Sequence, residues 1–261
     1  MLSTESTALN SLAESPEKKE KIPFFLFPAL ACNARLYGPQ KEGLGDLCRV
    51  ILPDWLEPLR GETLPEFARR WGEVIWKTYY GPEAKETQRL DPEIGCFTGG
   101  VSFGGMVSPF ASDVLREHGL KVHKNFRIST FLYGNQIPKS LRFWWNLSSL
   151  IPFGGWNVIK SSCWLELKLR EKRLSFRRRE ILKQFLESPC IRCQRVVKMI
   201  ANWRGEVQPH DFPTVQIHGL RDRLLPISLV ESPEVLRLDA SHLMTLTRPD
   251  EVNELLRKLL S

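Results

Sequence analysis

Six short apolar runs punctuate the chain, each followed by turn residues: Ile22–Phe27, Arg49–Leu52, Ile94–Phe97, Phe126–Phe131, Thr214–Ile217 and Val235–Leu238. Runs of this length without strict alternation predict strands buried on both faces. Between several of them the period changes to that of a helix. Leu64, Phe67, Ala68, Trp71, Val74 and Ile75 form one apolar stripe behind a capping box, Thr63-Leu-Pro-Glu66. Val252, Leu255, Leu256, Leu259 and Leu260 form another, with Thr247 as the expected cap and Pro249 in the first turn. Buried strands alternating with helices predict an α/β fold, a mostly parallel central sheet of about six strands flanked by helices.

The alternation stops between residues 138 and 204, where the pattern is helical and aromatic throughout. Five of the chain's eight tryptophans lie there (144, 145, 156, 164 and 203). The segment falls between the fourth and fifth strands, so it would hang over the carboxyl edge of the sheet, where ligands bind in open α/β folds. The expected organisation is a polar leader at 1–21, a core of 22–137 and 205–261, and a helical cap at 138–204.

The third apolar run leads into Gly99-Gly100-Val101-Ser102-Phe103-Gly104-Gly105, and helical sequence follows. Gly100-x-Ser102-x-Gly104 is the pattern of a nucleophile elbow, a serine at a sharp strand-to-helix turn with glycines where strand and helix must approach. Composition alone yields roughly 0.08 such matches by chance. A serine hydroxyl needs a base, and the base needs an orienting acid. Of the five histidines, His118 and His123 flank the far end of the helix after the elbow, and His210 lies in a polar connector. His242 follows the last strand and precedes the last helix, at the carboxyl edge, and is the expected base. His218, at the end of the fifth strand, is its competitor, more commonly a residue that shapes the turn. The acid is expected on the loop after that strand, at Asp222, with Asp239 as the alternative; a plain turn role for Asp222 is the bland reading. One oxyanion donor would be the backbone N–H of Phe103 at the helix N-terminus, and a second should come from the loop after the first strand.

With Ser102, Asp222 and His242 in that order, the sequence resembles the α/β-hydrolase superfamily. Phe25–Gln40, Gly99–Ser108, Val215–Ile227 and His242–Leu256 are similar to its small lipase-like and esterase-like branches. The resemblance covers the sheet and last helix but not 1–21 or 138–204, and it implies a serine hydrolase with no metal or organic cofactor. By position it puts the second oxyanion donor on Leu30. Three departures stand out: Ala29 and Ala31 occupy positions the family usually gives to glycine, Pro109 falls inside the helix after the elbow, and the chain begins almost at the family's third strand.

Composition adds constraints. Hydrophobic residues make up 42% and charged residues 26%, enough for a sizeable core. Six scattered cysteines do not form a disulfide framework, and Cys190-Ile-Arg-Cys193 lacks the second pair or histidines of a zinc site. The expectation is a soluble, cytoplasmic, reduced protein. The formal charge is +7. Segment 138–204 holds fifteen Lys and Arg against four Glu, a net +11, so the remainder is −4. Three roles compete for this basic, aromatic cap: docking on an anionic membrane, docking an acidic carrier protein that bears a thioester, or a solvated outer face. No recognition motif for nucleic acid accompanies the charge. Two functions stand: hydrolysis of an apolar acyl ester or thioester, or a catalytically silent binder of an acidic partner or anionic membrane through the cap.

Overall fold

The computed structural model describes residues 20–149, 153–205, 210–230 and 235–261, so the expected leader lies almost wholly outside the described residues. In chain order the elements are β1 (Pro23–Phe27), α1 (Gly38–Gly43), β2 (Arg49–Ile51), α2 (Leu64–Tyr79), β3 (Cys96–Val101), α3 (Phe103–Glu117) and β4 (Val122–Ile128). Four helices follow: α4 (Lys139–Ser149), α5 (Phe153–Arg170), α6 (Phe176–Glu187) and α7 (Cys190–Asn202). The chain then adds β5 (Thr214–Gly219), β6 (Leu236–Leu238), α8 (Met244–Thr247) and α9 (Pro249–Leu260). The strands form one six-stranded sheet in the order β2-β1-β3-β4-β5-β6, with every neighbouring pair parallel.

β1 shows why its sequence reads as an unbroken apolar run. Phe25 and Phe27 face one core with Phe67, Trp71 and Phe103; Phe24 and Leu26 face the other with Phe126, Ile217, Val252 and Leu256. Successive strand residues point to opposite faces, so a sheet covered on both sides needs apolar residues at every position. The capping box of α2 forms as the sequence implies: Thr63 N–H donates to Glu66 Oε2 at 2.9 Å, and Glu66 N–H to Thr63 Oγ1.

Three local expectations change. β3 runs on from Cys96 to Val101, through the glycines read as turn, while Ile94 closes a 3-10 turn capped by Asp91. β4 begins at Val122, four residues before the apolar run that marks it, and ends at Ile128, three residues before that run does. Its polar Asn125 is buried because Asn125 Nδ2 donates to Thr98 Oγ1 (2.7 Å), which pairs with Ser112 Oγ (2.7 Å), a network beneath α3 that satisfies every member. Thr247 ends α8, its hydroxyl donating to Leu243 O, and does not cap α9, which starts at Pro249 behind Arg248. Pro109 is accommodated within α3, which continues to Glu117.

Two glycines make opposite predictions. A Cβ on Gly104 would lie 2.0 Å from Phe27 O, whereas one on Gly38, at a helical φ of −47°, meets nothing within 4 Å. Gly104→Ala is expected to cost more than ~3 kcal/mol in urea unfolding, and Gly38→Ala to be neutral or stabilising by up to ~1 kcal/mol.

Candidate active site

Ser102 stands between β3 and α3 with φ 55° and ψ −119°, a conformation that non-glycine residues rarely adopt and that costs on the order of 1–3 kcal/mol. Its surroundings hold it there. Ser102 N–H donates to Ile128 O on β4 (2.8 Å), and its carbonyl accepts from Gly105 N–H, Met106 N–H and Thr130 Oγ1, the last at 2.8 Å. The flanking glycines permit the crossing: a Cβ on Gly100 would sit 2.5 Å from Gly104 C and 2.7 Å from Phe27 O. Tyr37 locks the strand ends beneath the turn, donating its hydroxyl to Phe27 O (2.6 Å) and accepting from Val101 N–H (2.8 Å). Burial pushes its phenol far above the ordinary range, so the group stays a donor.

Asp222 reaches the same edge from the loop after β5. Oδ1 accepts the N–H groups of Leu224 (3.0 Å) and Leu225 (2.9 Å), and Oδ2 accepts His242 Nδ1–H at 2.8 Å. The carboxylate is fully buried. Burial by itself would raise its pKa; the hydrogen bond from His242, the charge on that ring and the Leu225 N–H outweigh this and hold the carboxyl below its ordinary value. Backbone bonds tie the acid's loop to the histidine's: Leu220 N–H to Leu238 O (2.8 Å) and Arg221 N–H to Ala240 O (2.9 Å). Gly219 lets them meet, since a Cβ there would lie 2.4 Å from Ala240 O.

His218 is fully buried, and its Nε2 donates to Leu225 O (2.7 Å) while lying 3.5 Å from Asp222 Oδ2. Burial pulls its pKa down, against the hydrogen bond and the nearby carboxylate, so the ring stays neutral and braces the acid's loop. The exposed Asp239 pairs with Arg221 (2.7 Å), and among the described residues His242 pairs with Asp222 and not with Asp239. The remaining histidines are engaged elsewhere: His118 with Glu73 and the Trp76 ring, His123 with Ile94 O, His210 with Asp113. Ser102 Oγ makes no hydrogen bond to His242 among the described residues.

The N–H of Phe103 opens α3, outside its hydrogen-bond ladder, and the Phe103 ring stacks on Trp55 at 5.8 Å. Leu30 lies in the turn closed by Cys32 N–H to Ala29 O (3.0 Å), and its own N–H donates to no group among the described residues. The next residue, Ala31, takes φ 58°, the left-handed conformation that glycine would adopt without strain. This loop is clamped from α6: Asn33 N–H donates to the buried Gln184 Oε1 (2.9 Å), and Arg35 pairs with Glu180 and Glu187. Sequence reasoning passed over Tyr37, Thr130 and Gln184. Tyr37 and Gln184 carry no local signal; Thr130, just beyond β4, could have been suspected as a polar residue in an apolar run.

Among the described residues no group of three His, Cys, Asp or Glu side chains is placed to hold a metal ion. Cys193 is buried in α7 and Cys190 lies at its start, both as free thiols.

No protein-family model matches the chain, and no curated protein matches it in sequence. Solved structures do. A hydrolase from Pseudomonas aeruginosa superposes with a TM-score of 0.70 at 13% identity, over 92% of this chain and 90% of the other. A thermophilic esterase from Thermogutta terrifontis gives 0.64 at 16% identity over 92% and 90%, and an enol-lactonase from Burkholderia xenovorans gives 0.60 at 13% over 94% and 93%. The chain has the α/β-hydrolase fold.

Cys32, in the turn that holds Leu30, is the one thiol that could be mistaken for a nucleophile. Burial, with a smaller effect of Cys193, pushes it up to about 12. Iodoacetamide at neutral pH is expected to modify the half-buried Cys163 and Cys190 and to leave Cys32 unmodified until the protein is unfolded, as read by peptide mass spectrometry.

Proposed function

We propose that this protein is a serine hydrolase that cleaves a carboxylic ester or thioester of an apolar acyl group. Ser102 Oγ bonds to the acyl carbon as its proton passes to His242 Nε2. The tetrahedral intermediate collapses, the bond to the leaving oxygen or sulfur breaks, and His242 returns the proton to that atom. Water then attacks the acyl-enzyme, giving up a proton through His242 to Ser102 Oγ, and the free acid departs. Asp222 steadies the imidazolium, and the N–H groups of Phe103 and Leu30 stabilise the oxyanion. No metal or organic cofactor enters these steps.

The observation that carries this reading is the 2.8 Å bond from His242 Nδ1 to the buried Asp222, on the same sheet edge as a serine held at positive φ. Geometry of this kind fixes the histidine tautomer, leaving Nε2 for proton transfer. An apolar acyl group is supported by Trp156 and Val197, which pack beside Ala31, with Leu30, Trp145 and Phe185 against them. Ser102→Ala is expected to lower p-nitrophenyl ester turnover by several orders of magnitude and to abolish fluorophosphonate labelling; Asp222→Asn is expected to cost about 10⁴ in kcat. Ester turnover by a protein whose Ser102 resists the label would sink the proposal.

A second reading concerns the inserted helices. Phe143 (63% exposed), Trp144, Val158, Trp164, Leu169 and Phe176 lie open on α4, α5 and the start of α6, and Lys168 Nζ sits 4.8 Å above the Trp164 ring. No described helix is long and apolar enough to cross a membrane. Exposed aromatics among cations suit the surface of an anionic bilayer, where rings enter the interface and lysines reach phosphates. Co-sedimentation with phosphatidylglycerol vesicles is expected at low salt, to weaken at high salt, and to fall several-fold in Trp144→Ser/Trp164→Ser. Binding to an acidic carrier protein with no vesicle binding would transfer this face to a protein partner. Vesicle binding without any ester turnover would favour the silent binder over the hydrolase.

A further inference from the structure

On the His242 side of the site lies an open groove of about 650 Å³. Four arginines line it, Arg178 from α6, Arg221 and Arg223 from the acid's loop and Arg248 from the turn before α9, together with His242 itself. No carboxylate is among the lining residues. Ser241 and Thr247 add hydroxyls. Three of the arginines hold acids: Arg178 with Glu166, Arg221 with Asp239 and Arg248 with Glu251. Asp239 and Glu251 line a smaller cavity next to the groove that shares Arg248 with it, and all three pairs are substantially exposed, so they are weak and exchangeable. Arg223 is exposed and makes no hydrogen bond or ion pair among the described residues.

We infer that this groove is a subsite for a phosphate group on the leaving alcohol or thiol of the substrate. The inference rests on the hydrolase reading and extends it to a substrate class. Guanidinium groups arriving from three separate segments suit a tetrahedral dianion, which offers acceptors in several directions, better than a flat carboxylate. The side of the site assigns the phosphate to the leaving group. His242 must return its proton to the leaving atom, so that atom lies next to the imidazole that lines the groove, while the apolar cluster around Leu30 and Ala31 lies by the oxyanion loop and suits the acyl chain.

The test compares two matched pairs: glycerol 1-butyrate with its 3-phosphate, and S-butyryl pantetheine with S-butyryl phosphopantetheine. In at least one pair the phosphorylated member should have a kcat/KM higher by about tenfold or more, mainly through KM. That ratio should fall toward one in R223Q and further in R223Q/R248Q, and should decline with added salt, whereas R116Q on the distant end of α3 keeps it. A preference confined to the ester pair assigns the phosphate to a lipid-type headgroup, and one confined to the thioester pair to a pantetheine-type carrier. Equal kcat/KM within both pairs overturns the subsite, even though turnover of the neutral members would uphold the hydrolase. If nothing is turned over and Ser102 takes no fluorophosphonate, the hydrolase reading fails by itself. Titration of S102A with glycerol 3-phosphate and phosphopantetheine then decides the subsite: binding weakened in S102A/R223Q supports it, and no binding of either compound overturns it.

Discussion

The structure depends on one close approach, that of the α3 N-terminus to the end of β1. Gly104 lies so near Phe27 that no side chain fits between them, and Gly100 meets the same two elements from below. Tyr37 completes the junction by joining Phe27 O to Val101 N–H, so the ends of β1 and β3 cannot separate without leaving a buried phenol and two backbone groups unpaired. Only with that junction closed is the chain forced to reverse at Ser102, and the positive φ is what that reversal requires. The strain at the serine is therefore sustained by packing that the serine does not itself make.

A second junction places the other two side chains. Gly219 against Ala240, with the two backbone bonds beside it, lays the loop after β5 along the loop after β6, and Asp222 and His242 meet as a result. The carboxylate there is satisfied on both oxygens, and His218 supports the loop from behind through its bond to Leu225 O. Since the folded-state pKa of Asp222 is depressed, its contribution to stability is complete above the ordinary carboxylate range and is lost as pH falls through the lowered value. The carboxylate bonded to His242 and the loop that carries it thus share one acid limit.

How legible this was differs by residue, for physical reasons. The strands and the elbow are written in local patterns, apolar runs and a glycine spacing, so they could be read directly. β4 is hard to place because its first half is polar, and each polar residue there is satisfied by a partner distant in sequence: His123 by Ile94 O, Lys124 by Leu259 O and Asn125 by the network with Thr98 and Ser112. The glycines of β3 looked like turn because the sequence does not show Phe126 O lying 2.6 Å from where a Cβ of Gly99 would be. Tyr37 and Gln184 were invisible for a related reason: each acts on a partner brought near only by the completed fold.

Charge was the property that sequence-level arithmetic described least well. Summed by segment, the positive excess falls entirely within residues 138–204, which draws attention to the inserted helices and away from a core that nets to −4. The fold regroups it. Arg221, Arg223 and Arg248 belong to that acidic remainder, yet they gather with Arg178 around His242. Asp222 sits between two of them in the chain, its carboxylate buried toward the imidazole while both flanking guanidiniums stay in solvent. The same three-residue turn thus presents one buried anion to the imidazole and two exposed cations to solvent. A net charge spread over a segment measures neither, because the field a ligand meets is set by the few side chains that share its cavity.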